Sequence, residues 1–290
     1  MTTSPLHARL RRKLSLCLVA CALLAVALPS ARAQEAPNAP AATQPAAGHA
    51  TVREQLRYVR FRTDDATNQQ RIEEFTAWTA ISVGLTGDLS LTFEAPIVVR
   101  DTQNRGPVPD EDHTGLADMT LTLKWRFFQK DFGPIDTLRV ALLVGTELPS
   151  GDDELSSNSV DPEIGIVATY IRGRHGFGGA LRYKFTTGAQ EDPLNAGETL
   201  ADQIRYDFSY LYRAAPAEYA ADTHGSLYLV MELNGSQETN GDGQIFLAPG
   251  LMYEARSWAA EFSLGLPVWQ DLHDRPDADF MLRFGIRLLF

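Results

Sequence analysis

From Arg53 to the last residue, this chain repeats one pattern. Segments of about ten to fourteen residues alternate apolar and polar side chains. A period of two sends successive side chains to opposite faces of a strand. The clearest internal case sets Ala117, Met119, Leu121, Leu123, Trp125 and Phe127 against Asp118, Thr120, Thr122, Lys124 and Arg126. Phe75, Ala77, Thr79, Ile81, Val83 and Leu85 form another apolar face. Helical periodicity is absent, as is any run of 18 consecutive apolar residues, the length that marks a spanning helix. The alternation predicts an all-β fold of about twelve strands: 53–63, 72–85, 89–100, 116–129, 136–149, 159–172, 175–188, 201–214, 224–236, 244–256, 258–270 and 278–290.

The last strand says which environment the apolar faces meet. Phe280, Leu282, Phe284, Ile286, Leu288 and Phe290 fall on one side, and Met281, Arg283, Gly285, Arg287 and Leu289 on the other. In water, an exposed apolar edge strand is an aggregation hazard. In a closed barrel in lipid, the apolar face meets acyl chains and the arginines face the lumen. The stretch resembles the C-terminal insertion signal of bacterial outer-membrane barrels, carried here by Phe284, Leu288 and Phe290. The expected architecture is therefore a transmembrane antiparallel up-and-down meander over 53–290. A soluble sandwich is the alternative, and it requires the apolar faces to pack as a core.

The connections agree with the membrane reading. Those at 86–88, 130–135, 173–174 and 257 are short, whereas 101–115, 150–158 and 189–200 are long. Outer-membrane barrels have short periplasmic turns and longer outer loops. The connection at 215–223 fits this rule less well. Trp125, Phe127, Tyr170, Phe177, Tyr210, Tyr212, Tyr253, Trp258 and Phe290 gather near the expected periplasmic ends, where a girdle of rings belongs.

The start of the chain has a different character. Arg9, Arg11, Arg12 and Lys13 precede an apolar run from Leu14 to Leu28, and Ala31-Arg32-Ala33 supplies a small-x-small cleavage site. Residues 1–33 read as a cleaved secretory signal peptide. Leu18-Val19-Ala20-Cys21 also fits a lipoprotein signal, with lipid on Cys21. Both cysteines, Cys17 and Cys21, lie in this segment, so a chain cut at Gln34 has no disulfide, thiolate metal site or cysteine nucleophile. The net charge of −11 becomes about −16 without these residues, because they hold five Lys/Arg and no carboxylate. That balance argues against nucleic-acid binding. Residues 34–52 are rich in Ala, Pro and Gln, and they read as a disordered periplasmic tail.

The segment Thr114-Gly115-Leu116-Ala117-Asp118 through Phe127, with Gly145-Thr146-Glu147-Leu148-Pro149-Ser150-Gly151, resembles the outer-membrane family named for the MetA pathway of phenol degradation. Ala117 stands where the family pattern has a second glycine. The resemblance covers most of 70–290. It implies a transporter-like, porin-like barrel and a small-molecule conduit, without implying phenol as its solute.

The candidate lumen-lining residues are Lys124, Arg126, Arg139, Glu147, Arg182, Lys184, Arg205, Arg283 and Arg287; Glu94, Asp118, Asp207, Arg213, Glu232, Glu254 and Glu261 share their face. They suit a charged pore lining that selects solutes. They suit equally a network of paired charges filling a narrow lumen, since about twelve strands lie between filled and open barrels. The sequence leaves both open. The expected partners are outer-membrane lipids and lipopolysaccharide, the barrel assembly machinery and a small-molecule solute. No cofactor, metal or catalytic residue is expected. His224-Gly225-Ser226 places a His and a Ser on one strand face without a third group to orient the His, so a lipid hydrolase is a distant alternative. A closed adhesion or structural barrel is a nearer one. Acidic stretches at Asp110-Glu111-Asp112, Asp152-Asp153-Glu154, Glu191-Asp192 and Asp271/Asp274, and a calcium-loop echo over Glu238–Gly243, read as solvated loops or as weak divalent-ion sites.

Overall fold

The structure is a computed structural model that describes residues 35–62, 70–104, 109–152, 154–188, 201–220, 222–273 and 275–290. The candidate signal peptide, and Asp153, Glu191, Asp192 and Asp274, lie outside the described residues.

Among the described residues, thirteen strands run β1 Ala50–Arg62, β2 Gln70–Gly84, β3 Leu89–Asn104, β4 Glu111–Leu116, β5 Met119–Asp131, β6 Thr137–Leu148, β7 Asp161–Arg172, β8 His175–Lys184, β9 Gln203–Ala215, β10 Gly225–Glu238, β11 Gly243–Ala255, β12 Trp258–Asp271 and β13 Asp277–Leu289. Each pairs antiparallel with its neighbours in sequence order, except that β4 and β5 do not pair with each other. β1 pairs with β13 from Thr51↔Leu289 to Arg62↔Asp277, so the sheet closes on itself. β4 and β5 both pair with β3, through its residues 97–102 and 89–94 respectively. They are one stave interrupted at Ala117–Asp118, and the barrel has twelve staves.

The wall is apolar outside and polar inside, the reverse of a soluble protein. Phe284 is 58 % exposed, Leu181 52 % and Trp125 51 %, whereas Arg287 and Glu232 are 1 % exposed. This distribution excludes the soluble sandwich, whose apolar faces would be buried. The short connections and the C-terminus share one end, where Phe290 exchanges backbone hydrogen bonds with Ala50. Around that end the rings touch: Phe132–Tyr170, Tyr170–Phe177 and Phe177–Tyr210 have centroids 6.5, 6.4 and 5.2 Å apart, and Tyr253–Trp258 5.4 Å.

Residues 35–49 correct the expectation of a disordered tail. Residues 35–44 run inside the barrel, and 46–48 are exposed at the short-turn end. Ala36 and Ala39 pack on Leu211, Tyr228, Val230 and Met252 of the inner wall. Ala42 packs on Ala141, Leu143, Val167 and Ala180. Small side chains let a second chain fit a lumen of this width. Pro37, Pro40 and Pro45 lower the entropy lost on fixing the backbone, and they bring no N–H needing a partner. At the short-turn end Ala47 makes a parallel bridge to Gly84, whose missing side chain makes room: a Cβ there would overlap the carbonyl oxygens of Ala46 and Pro45.

Candidate functional site in the barrel lumen

A backbone threaded through a wall of side chains must find partners for its polar groups. Glu232 on β10 accepts hydrogen bonds from Asn38 N at 3.1 and 3.2 Å, Asn38 Nδ2 at 2.6 Å and Ala39 N at 2.7 Å. Arg53 on β1 donates to the Ala36 and Pro37 carbonyls, both at 2.9 Å, and Gln55 Nε2 to Pro37 O at 2.8 Å. Arg287 donates to Glu35 O at 2.9 Å. Lys124 Nζ donates to Ala41 O at 2.8 Å and Thr43 O at 3.0 Å. Ala42 N donates to Thr169 Oγ1 at 2.9 Å. Arg283 and Ser263 donate to the Asn38 side-chain oxygen.

Two ion-pair networks flank the segment. In the first, Glu261 bridges Arg53 at 2.7 Å and Arg287 at 3.2 Å, with Glu35 at 3.9 and 3.6 Å from the same arginines. Gly285 allows this packing, since a Cβ would lie 2.6 Å from Glu261 Oε1 and 2.9 Å from Gln55 Cγ. In the second, Arg182 reaches Asp207 at 3.1 Å and Glu163 at 3.8 Å, and Arg205 pairs with Glu163. Lys184 meets Glu147 at 3.6 Å. Paired charges of this kind cost less to bury than isolated ones.

The candidate lumen residues therefore divide. Lys124, Arg283 and Arg287 hold the threaded segment. Arg182, Arg205, Lys184 and Glu147 form wall networks. Arg126 belongs to the short-turn end, where it donates to Gly87 O at 2.6 Å and Asp88 Oδ1 at 2.9 Å. Arg139 lies near the same end, with Nε 3.3 Å from Thr137 Oγ1. Asp118 holds a loop. At the break between β4 and β5 it accepts from Ser150 N, Gly151 N, Ser156 Oγ and Ser157 N at 3.1, 2.9, 2.7 and 2.5 Å. These bonds fix the 149–160 loop, whose Leu155 packs on Val98 and Ala117. Arg53, Gln55, Glu232 and Glu261 are central lumen residues outside the short candidate set. Arg53 and Gln55 open the 53–63 strand, where Leu56 and Tyr58 sit on the opposite parity to Val59 and Phe61, which hid them.

Among the described residues, two of the spaces left in the lumen adjoin each other. One of about 270 Å³ is lined by Asn38, Arg182, Arg205, Phe246 and Arg283, and it reaches Leu272, Arg275 and Pro276 between β12 and β13. The other, about 100 Å³, lies among Glu35, Trp78, Glu94, Lys124, Arg182 and Arg287. Arg182 borders both. Of the His-x-Ser pair, Ser226 Oγ donates to the Tyr219 hydroxyl at 3.1 Å. Of the calcium-loop echo, Glu238 pairs with Arg275, and Asp242 Oδ1 accepts from His273 N at 2.8 Å. Among the described residues, no group of three or more His, Cys, Asp or Glu is placed to hold a metal.

A closed, even-staved barrel with an apolar wall, an aromatic girdle and a charged interior defines an outer-membrane β-barrel. More particularly, the chain belongs to the family described as "Putative MetA-pathway of phenol degradation", whose model matches residues 38–271 and so begins within the threaded segment. Its fold is similar to that of an outer membrane channel from Pseudomonas putida F1, at 12 % identity and a TM-score of 0.56, over 90 % of this chain and 100 % of that one. It is also similar to the β domain of the Bordetella autotransporter BrkA, at 11 % identity and a TM-score of 0.50, over 84 % of this chain and 100 % of that one. No curated protein sequence matches the chain.

Proposed function

We propose that this protein is an outer-membrane channel for small polar or aromatic molecules, held closed by residues 35–49. The threaded segment carries the reading. It fills a lumen that twelve staves would otherwise leave partly open, yet it is tied by hydrogen bonds and alanine contacts, not by a covalent link. Two residual spaces sharing Arg182 mark the route past it. The similar structure from Pseudomonas putida F1 bears the name of a channel, and the family description concerns phenol degradation; both support a small-molecule solute.

On this reading, residues 1–33 direct export in a Gram-negative cell and are cleaved. The last strand, through Phe284, Leu288 and Phe290, engages the barrel assembly machinery. The apolar wall contacts lipids, and the outer loops contact lipopolysaccharide. Single-channel recording on residues 34–290 refolded into planar bilayers tests the proposal. The expected result is infrequent, brief openings, becoming long and stable when residues 35–49 are removed. Heat-modifiable gel mobility monitors folding of both forms. Two folded barrels without conductance would overturn the channel reading and favour a closed structural or adhesive barrel.

A further inference from the structure

β1 and β13 bring two arginines face to face. Arg57 and Arg283 are direct partners in the register, and both point into the lumen. Like charges directly opposite on neighbouring strands destabilise a sheet. Neighbouring lumen arginines are neutralised: Arg53 and Arg287 share Glu261, and Arg182 and Arg205 share Glu163. Arg57 and Arg283 have neutral partners instead. Arg57 donates to Gln55 Oε1 at 2.9 and 2.8 Å and lies 4.1 Å over the Trp78 ring. Arg283 donates to the Asn38 side-chain oxygen, with the Met281 sulfur at 4.0 Å. Glu94 and Glu261 act on Arg57, and Glu232, Asp207 and Glu261 on Arg283, through space, with Glu261 already shared by Arg53 and Arg287. Glu232 already holds the Asn38 and Ala39 amides, and Asp207 already holds Arg182 and Asn234.

Arg283 borders the larger lumen space beside Phe61, Phe246 and Met281. At about 270 Å³ it exceeds the roughly 150 Å³ apolar cavity that suffices for benzene. A guanidinium facing such a space fits a carboxylate through two parallel hydrogen bonds. Aromatic and thioether walls beside it fit a ring.

We propose that this space binds a small aromatic monocarboxylic acid, its carboxylate on Arg283 with Arg57 behind, and that the bound carboxylate replaces the Asn38 oxygen on Arg283. The site rests on the channel reading for its biological sense, but its chemistry stands on the lumen geometry. Asn38 belongs to the threaded segment, so ligand and segment compete for one guanidinium. Linkage makes that competition reciprocal: a ligand that weakens seating must bind more tightly when seating is weakened by other means.

The test is titration calorimetry of benzoate into residues 34–290 refolded in detergent, with benzyl alcohol and acetate as comparison probes and conductance recorded on the same preparation. Benzoate is expected to bind at least about tenfold more tightly than either comparison probe. Arg283→Gln should weaken it about tenfold or more, Arg283→Lys should weaken it less, and Glu232→Ala should tighten it. The lysine variant keeps the positive charge and serves as the folded control should Arg283→Gln fail to shift on heating. No benzoate heat, equal affinity for benzyl alcohol, or unchanged affinity in the folded Arg283 variants would overturn the site. Conductance without benzoate binding would overturn the site and leave the channel. Binding without conductance would leave the site and overturn the channel.

Discussion

Replacing Glu232 with alanine should release the threaded segment while leaving the wall intact. The carboxylate holds three donors, Asn38 N, Asn38 Nδ2 and Ala39 N, at 2.6–3.2 Å. A hydrogen bond to a charged acceptor contributes about 1.5–3 kcal/mol. Three donors on one carboxylate are not independent, and the variant also removes a buried charge, which offsets part of the loss. The net should be about 3 kcal/mol, roughly a hundredfold shift in the seated-to-unseated ratio at about 1.4 kcal/mol per tenfold. Ala42 reports on this equilibrium because it is fully buried in the seated state. Residues 34–290 contain no cysteine, so Ala42→Cys supplies a single thiol for a soluble maleimide. Labelling should be about a hundredfold faster with Glu232→Ala than without it, in barrels that both shift on heating. Equal rates would refute the assignment of Glu232 as the anchor. Loss of heat-modifiable mobility would refute the separation of segment from wall.

Gly84→Val should unseat the segment at its other end, because a side chain there overlaps the Ala46 and Pro45 carbonyls; Ala42→Cys labelling should rise at least about tenfold. Glu261→Ala removes the carboxylate that the buried Arg53 and Arg287 share, and breaking such a pair costs about 3–5 kcal/mol, read as a lower temperature of the heat-dependent gel shift. Asp118→Ala strands four donors of the 149–160 loop; proteolysis in that loop should accelerate about tenfold or more, with the barrel's gel shift unchanged.

The strands were legible in the chain because a barrel wall is a local code. Each residue's face follows from its neighbours two positions away, and lipid outside with a polar lumen inside enforces that parity along every stave. Hence β5, β9 and β13 lie where alternation puts them, within a few residues. The face of Lys124, Arg182, Arg283 and Arg287 followed from the same rule. Asp118 shows the limit of the rule: its partners are backbone and serine groups of the 149–160 loop, which the alternation does not reveal.

What alternation could not supply was which charges meet. Arg53 and Glu261 are 208 positions apart, and Asn38 and Glu232 194; they become neighbours only when β13 closes on β1. Residues 35–49 show the same limit. Judged alone, an Ala/Pro stretch has too little apolar surface to bury itself, and disorder is the correct expectation for it in water. Inside the closed wall its alanines fit because they are small, and its backbone finds arginine, lysine, glutamate and threonine partners already in place. The sequence determined a twelve-stave barrel with a charged interior, since both follow from local period and environment. Only closure decided that the interior is occupied, and by which part of the chain, because burial and hydrogen bonding of that segment depend on groups far from it in sequence.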